Sequence, residues 1–242
     1  MSNAKQSKYY IKDLNTEIKV LTKSTPKIVV NEKLPELPTN LIFYAKSNSG
    51  KTNVILNLLE FYKKIFKDRI LIISKAQDIS LESLAKTHGA VVLYDLYDEN
   101  GINYIEKLIN YQKKLKAEGK KLKNYLVLLE DLVGSEKSLD NRRSIFTTLF
   151  SQGRHSQITT IITTQQYSSV PCSLRRMAWG SIIFKMSNIA ERKLMTYEMC
   201  GAVNMNEKQF EKIYDEATTE PYSFLYVDAV KNKWSIRFEG LH

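Results

Sequence analysis

Cysteine, histidine and long apolar runs are what this sequence lacks. Its 242 residues include two cysteines, Cys172 and Cys200, and three histidines. Neither cysteine sits in a metal-ligand spacing, which argues against a structural zinc site. Two thiols allow at most one disulfide, and a chain without an export signal more often keeps them reduced. The apolar runs, such as 40–44 and 180–186, are strand-sized. None approaches the roughly 20 residues of a membrane span. The N-terminal stretch is polar and lacks the apolar segment of a secretory signal. Neither secretion nor a membrane partner is expected. There is no internal repeat and no low-complexity block.

What is present fits one sizeable core. Hydrophobic residues make up 43% of the chain and charged residues 26%, a globular and not a disordered composition. The length is too short for two comfortable enzyme domains. The formal net charge is +10 and the sequence pI is about 9.3. A basic chain of this size either meets a polyanion or simply carries a lysine-coated surface. Lys113, Lys114, Lys116, Lys120, Lys121 and Lys123 form the densest cluster. Glu106 and Glu118 lie near it, so a solvated helix face competes with a phosphate-binding one.

Residues 1–33 read as an extension with short β-prone runs at 18–21 and 27–30, broken by Pro26. Pro35 and Pro38 make the approach to the next segment extended. Residues 34–242 read as one domain, in which strands and helices alternate from Leu41 onward, the pattern of an α/β fold with a mostly parallel sheet. The apolar runs predict strands at 41–44, 69–74, 90–94, 124–129, 158–163 and 181–186. Helical periodicity predicts helices at 51–66, 81–88, 102–118, 139–152, 189–199 and 207–217. In the first of these, Val54, Leu58 and Phe61 are expected near one face. Runs 223–228 and 233–238 predict a C-terminal β-hairpin, whose Trp234 and Phe238 either pad the core or touch a neighbour.

The sharpest signal is Ala45-Lys46-Ser47-Asn48-Ser49-Gly50-Lys51-Thr52. It follows an apolar strand and opens a helix, the setting of a P-loop. Backbone N–H groups and a helix N-terminus there make a concave anion site. Gly50 lets the backbone approach phosphates. Lys51 is placed to reach the β- and γ-phosphates of ATP, and the Thr52 hydroxyl to meet Mg²⁺. Ala45 stands where the pattern has its first glycine, and alanine tolerates positive φ poorly. The loop must therefore hold Ala45 in a conformation open to an L-residue.

Two further strand ends carry chemistry. The run 125–129 ends in Glu130-Asp131, a place from which one acid serves the Mg²⁺ shell and another the attacking water. By position, Glu130 would organise Mg²⁺ through a water and Asp131 would be the general base. The usual order is Asp then Glu, so the division between them stays open. The run 158–163 ends in Thr164-Gln165-Gln166, where ligands bind in open α/β sheets. A side-chain amide can donate to a γ-phosphate and accept from a lytic water. Gln165 is the first choice for that role and Gln166 the reserve. Gly153-Arg154-His155 lies upstream. A guanidinium there suits a phosphate in transition-state charge, or it complements a helix C-terminus. Arg175 and Arg176 are further candidates for a neighbour's nucleotide or for DNA.

With these elements in order, the chain resembles the FtsK–HerA superfamily of ring-forming DNA translocases. Within it, it is most similar to the genome-packaging ATPases of poxviruses, other nucleocytoplasmic large DNA viruses and virophages. The resemblance rests on 47–52, on 126–131, and on the run from Gly153-Arg154-His155 through Thr164-Gln165-Gln166-Tyr167 to Val170-Pro171 and Leu174-Arg175. It covers roughly 34–186. It implies a RecA-like additional-strand P-loop NTPase fold, with the Gln165 strand between the P-loop strand and the acid strand. It implies an ATPase using ATP and Mg²⁺ at a subunit boundary of a homo-oligomeric ring, with Arg154 supplied in trans. The implied substrate is double-stranded DNA gripped without regard to sequence. The implied partner is a capsid vertex, in the host cytoplasm or the virion. A P-loop nucleotide kinase and an ATP-binding scaffold with little hydrolysis are the rival readings. No arginine-rich lid supports the first, whereas Ala45 and the reversed acid pair lend weight to the second.

Overall fold

The computed structural model describes residues 9–11, 16–18, 27–74, 79–97, 103–131 and 145–242. Strands β1 (Tyr9–Ile11) and β2 (Thr16–Ile18) pair antiparallel as a small sheet of their own. The run expected at 18–21 lies largely outside the described residues. Ile28 makes a two-way backbone bridge with Leu37, and Leu34 and Leu37 are buried.

The main body begins with β3 (Asn40–Tyr44) and α1 (Lys51–Phe66). Next come β4 (Ile70–Ser74), α2 (Ile79–His88), β5 (Val91–Leu93) and α3 (Tyr104–Ala117). They are followed by β6 (Tyr125–Glu130), α4 (Ile145–Gln152) and, after a 3₁₀ turn at Arg154–Ser156, β7 (Ile158–Thr164). The last elements are α5 (Cys172–Met177), β8 (Gly180–Phe184), α6 (Ile189–Cys200), α7 (Glu207–Ala217), β9 (Phe224–Asp228) and β10 (Lys233–Ile236). Residues 139–144 of the helix expected at 139–152 lie outside the described residues.

The strands form one eight-stranded sheet in the order β10-β9-β8-β3-β7-β6-β4-β5. The six from β8 to β5 run parallel, and β9 and β10 close the other edge as an antiparallel hairpin. Strands β3, β7 and β8 are buried along their whole length, as expected when helices cover both faces of a parallel sheet. Alternate residues serve two cores. Ile42 and Tyr44 face a core with Phe146, Leu174, Met195 and Phe210, while Leu41 and Phe43 face one built on α1.

Helix α1 buries Ile55, Leu58, Leu59, Tyr62 and Phe66, a stripe at helical spacing worth about 1.5–3 kcal/mol per large side chain. This corrects the expected face in part. Leu58 belongs to it, but Phe61 is 57% exposed, because it lies one position round from the stripe. The Tyr62 hydroxyl donates to the Pro35 carbonyl at 2.8 Å and ties the approach segment down. Of the hairpin aromatics, Phe238 packs edge-on to Phe224 and Tyr226, and Trp234 lies against His242. No described helix is long and apolar enough to cross a membrane.

Candidate functional site

Register brings the polar strand ends level. Tyr44 pairs with Thr164, Glu130 with Thr163, and Ser74 with Glu130. The chain therefore leaves β3, β7, β6 and β4 at one edge of the sheet, and the P-loop is the exit from β3. Its Ala45 is buried, with its N–H donating to the Thr164 carbonyl at 2.9 Å. The positive-φ positions of the loop are Asn48 (62°) and Gly50 (89°), and Ala45 is not one of them. The alanine therefore meets no steric penalty. Asparagine tolerates the left-handed region, and Gly50 occupies it as the residue that opens α1. The Ser49 hydroxyl closes the turn by donating to the Lys46 carbonyl at 2.8 Å.

Lys51 reaches across to the acid strand. Its Nζ lies 3.4 Å from Glu130 Oε1, 3.5 Å from Asp131 Oδ2 and 3.4 Å from Thr163 Oγ1. Asp131 has φ 46°. Its N–H is held there by the Thr163 carbonyl at 3.2 Å and the Thr163 hydroxyl at 3.3 Å. Such sparsely populated conformations gather at functional sites. Gln165 Nε2 donates to Asp131 Oδ2 at 3.4 Å. Glu130 is 7% exposed, and its Oε2 has no hydrogen-bond partner.

Lys51, Glu130 and Asp131 border a cavity of about 720 Å³, whose wall is completed by Lys46, Ser47, Asn48, Gly50, Thr52, Asn53, Ser74 and Tyr222. A second cavity of about 520 Å³ lies on the other side of the loop, with Ala45, Gln165, Gln166 and Lys185 in its wall. Gln165 lines the second and meets the wall of the first through its bond to Asp131. Gln166 faces only the second, and its carbonyl accepts from the Thr164 and Ser169 hydroxyls. The Lys46 ammonium donates to the Ser187 hydroxyl.

The arginines fall in different places. Arg154 sits on the 3₁₀ turn before β7, at the opposite edge of the sheet from the P-loop. Seven residues of β7 at about 3.3 Å each separate it from the Gln165 end by about 23 Å. Its guanidinium lies 3.4 Å from the Trp179 ring centre, with Nε buried and unpartnered. Burial pulls its pKa below the ordinary value. Arg175 is committed within its own chain. It makes two 2.7 Å bonds to Glu198, a further one to the Val170 carbonyl, and lies 5.0 Å from the Tyr167 ring. Tyr167 also donates to Glu198 at 2.8 Å and stacks on Tyr44. Arg176 is exposed. The six clustered lysines are exposed on the end of α3 and the segment before β6, away from the P-loop edge.

Sequence reasoning missed three contributors to the first cavity, Asn53, which directly follows the P-loop, Ser74 and Tyr222. Ser74 ends a predicted strand, so its place was open to inference. Tyr222 carried no signal.

The family model of the Poxvirus A32 protein matches residues 27–214. Uncharacterized protein 088R of Invertebrate iridescent virus 3 is 28% identical over 199 residues, covering 81% of this chain and 72% of that protein. The genome packaging NTPase B204 from Sulfolobus turreted icosahedral virus 2, solved with AMPPCP, superposes with a TM-score of 0.56 at 17% identity. It covers 82% of this chain and 96% of its own. The pCW3 conjugation coupling protein TcpA matches with a TM-score of 0.55 at 14% identity, over 78% of this chain and 57% of its own. The P-loop NTPase fold is thus shared with both. The chain belongs to the Poxvirus A32 protein family.

Proposed function

We propose that this chain hydrolyses ATP to drive double-stranded DNA into a virus capsid, as one subunit of a homo-oligomeric ring. The observation that carries the reading is the meeting of Lys51, Glu130 and Asp131 in the wall of one cavity beside a P-loop, with Gln165 bonded to Asp131. Membership of a poxvirus family and a fold shared with a genome packaging NTPase support it.

Each residue has a part. The amides of 47–52 cradle the phosphates, and Lys51 leaves the carboxylates to neutralise the β- and γ-oxygens. Asp131 accepts the proton of the attacking water, which Gln165, bonded to Asp131, helps to orient. The residues present fit Mg²⁺, since the Thr52 hydroxyl lines the cavity and Glu130 Oε2 is a buried carboxylate oxygen without a partner. That ion, when bound, supplies positive charge to the phosphates. Arg154 is too far from its own P-loop to act there, which supports a role toward a neighbouring subunit's nucleotide. DNA would be held through its phosphates and not its base edges. A capsid vertex is the partner that such a ring would occupy, in the host cytoplasm or the virion.

The test is ATP turnover by the full chain with and without long duplex DNA, over a range of salt, beside Lys51→Ala. Turnover should rise with DNA, the stimulation should fall steeply with salt, and Lys51→Ala should lose most activity. Turnover that survives Lys51→Ala removes the P-loop assignment. Turnover indifferent to DNA at every salt concentration removes the translocase.

A further inference from the structure

Tyr222 belongs to none of the elements that carry the P-loop, the acids or the amide. It comes from the loop between α7 and β9, yet it lines the phosphate cavity. It is 70% exposed. Its backbone has φ 62°, which bulky L-residues rarely adopt. The local cause is a tight turn. The Ser223 N–H donates to the Glu220 carbonyl at 3.3 Å, with Pro221 in the second position. Tyr222 takes the third, where a proline-led turn of this hand usually has glycine or asparagine. Arg237 anchors Glu220 at 2.8 Å. An aromatic side chain is therefore displayed to solvent against the preference of its own backbone, a pattern that gathers at ligand clamps.

Its neighbour is the glycine that opens α1. A Cβ built on Gly50 would lie 3.2 Å from Tyr222 Cδ1 and 3.3 Å from its Cβ. The sheet order then decides which end of a nucleotide lies there. Strand β3 feeds the P-loop. On one side of it, β7 and β6 carry Gln165, Glu130 and Asp131, which mark the terminal phosphate. On the other side are β8 and β9, and Tyr222 leads into β9. A triphosphate laid along the loop thus points its nucleoside end at Tyr222.

We infer that Tyr222 is the stacking platform for the nucleobase, a site that rests on the proposed ATP-binding role of the P-loop. A ring face recognises the π-surface of a base and not its edge, so the platform favours purines over pyrimidines and separates adenine from guanine weakly.

The test is equilibrium binding to the full chain with Mg²⁺, using ATP, CTP and inorganic tripolyphosphate as probes. The proteins are wild type, Tyr222→Phe, Tyr222→Ala and Tyr222→Asn. ATP should bind about tenfold or more weakly to the Ala and Asn variants and nearly normally to Phe. Tripolyphosphate should bind all four alike, and CTP should bind wild type more weakly than ATP. The Asn variant, whose backbone suits the turn, should melt no lower than wild type while still losing ATP affinity. Three results overturn the platform: unchanged ATP affinity in Tyr222→Ala, an equal loss for tripolyphosphate and ATP, or CTP binding as tightly as ATP. If wild type binds neither ATP nor tripolyphosphate, or Lys51→Ala binds ATP normally, the ATP site itself fails and takes the platform with it.

Discussion

Replacing Glu198 with leucine isolates the network that braces the Gln165 loop. Arg175, whose side chain is 8% exposed, would lose the carboxylate that accepts two of its bonds, and Tyr167 would lose its acceptor. Breaking a buried pair by removing one partner costs about 3–5 kcal/mol. Glu198 is itself 22% exposed, so the lower end, about 3 kcal/mol, applies. For a domain of this size each kcal/mol lowers Tm by about 2–4 °C, which makes the expected drop about 6–12 °C by circular dichroism at pH 7. The double variant Arg175→Met, Glu198→Leu replaces both charges by apolar groups and should recover most of that loss. The pH dependence has a defined sign. The Arg175 guanidinium, aided by the Tyr167 hydroxyl, holds the Glu198 carboxyl below its ordinary value of 4.5. Its stabilisation is therefore complete above that value and is lost as pH falls through the lowered one. The wild-type advantage over Glu198→Leu should shrink on strong acidification. Because Tyr167 follows Gln165 and Gln166 directly, turnover should fall more than ATP affinity. A Tm change under about 2 °C, or a double variant no better than the single, would refute the reasoning.

Three other outcomes are expected. Asp131→Asn should keep ATP bound while phosphate release drops by two or more orders of magnitude; normal release would move the general base to Glu130. Gly50→Ala should weaken nucleotide binding and lower stability by about 1–2 kcal/mol, because φ 89° and the nearby Tyr222 both oppose a Cβ; urea titration reads the stability part. Arg154→Ala subunits mixed with Lys51→Ala subunits should regain turnover that neither shows alone, since each supplies what the other lacks, the arginine or the P-loop lysine. Turnover no higher than the weighted sum of the two variants measured separately would place Arg154 outside any neighbour's site.

The strands of the eight-stranded sheet and most helices were legible because they are locally encoded, whereas the short β1 and β2 were not. Buried parallel strands are unbroken apolar runs, as at 125–129 and 158–163, and α1 carries its stripe in its spacing. The P-loop was legible because three of its residues must be what they are for the backbone to close on an anion. Helix α5 was not, since six residues after Pro171 give too little periodicity to register. Tyr222 and the Arg175–Glu198 pair were hidden for a different reason. Their meaning lies in contacts between segments far apart in the chain, and no local pattern announces that a loop before β9 folds over Gly50. The extended reach of Lys51 to Glu130 and Asp131 depends likewise on the register of β6 against β7.

Lys51 bridging both carboxylates has a consequence for the form in which a nucleotide would enter the proposed site. Its ammonium is already shared between two acids of its own chain. A triphosphate bound as proposed would take that ammonium for itself and leave Glu130 and Asp131 facing its own negative oxygens. One positive charge cannot satisfy so many neighbours at such close quarters. The nucleotide is thus expected to enter as its magnesium chelate, and ATP stripped by a chelating agent to be turned away at the door.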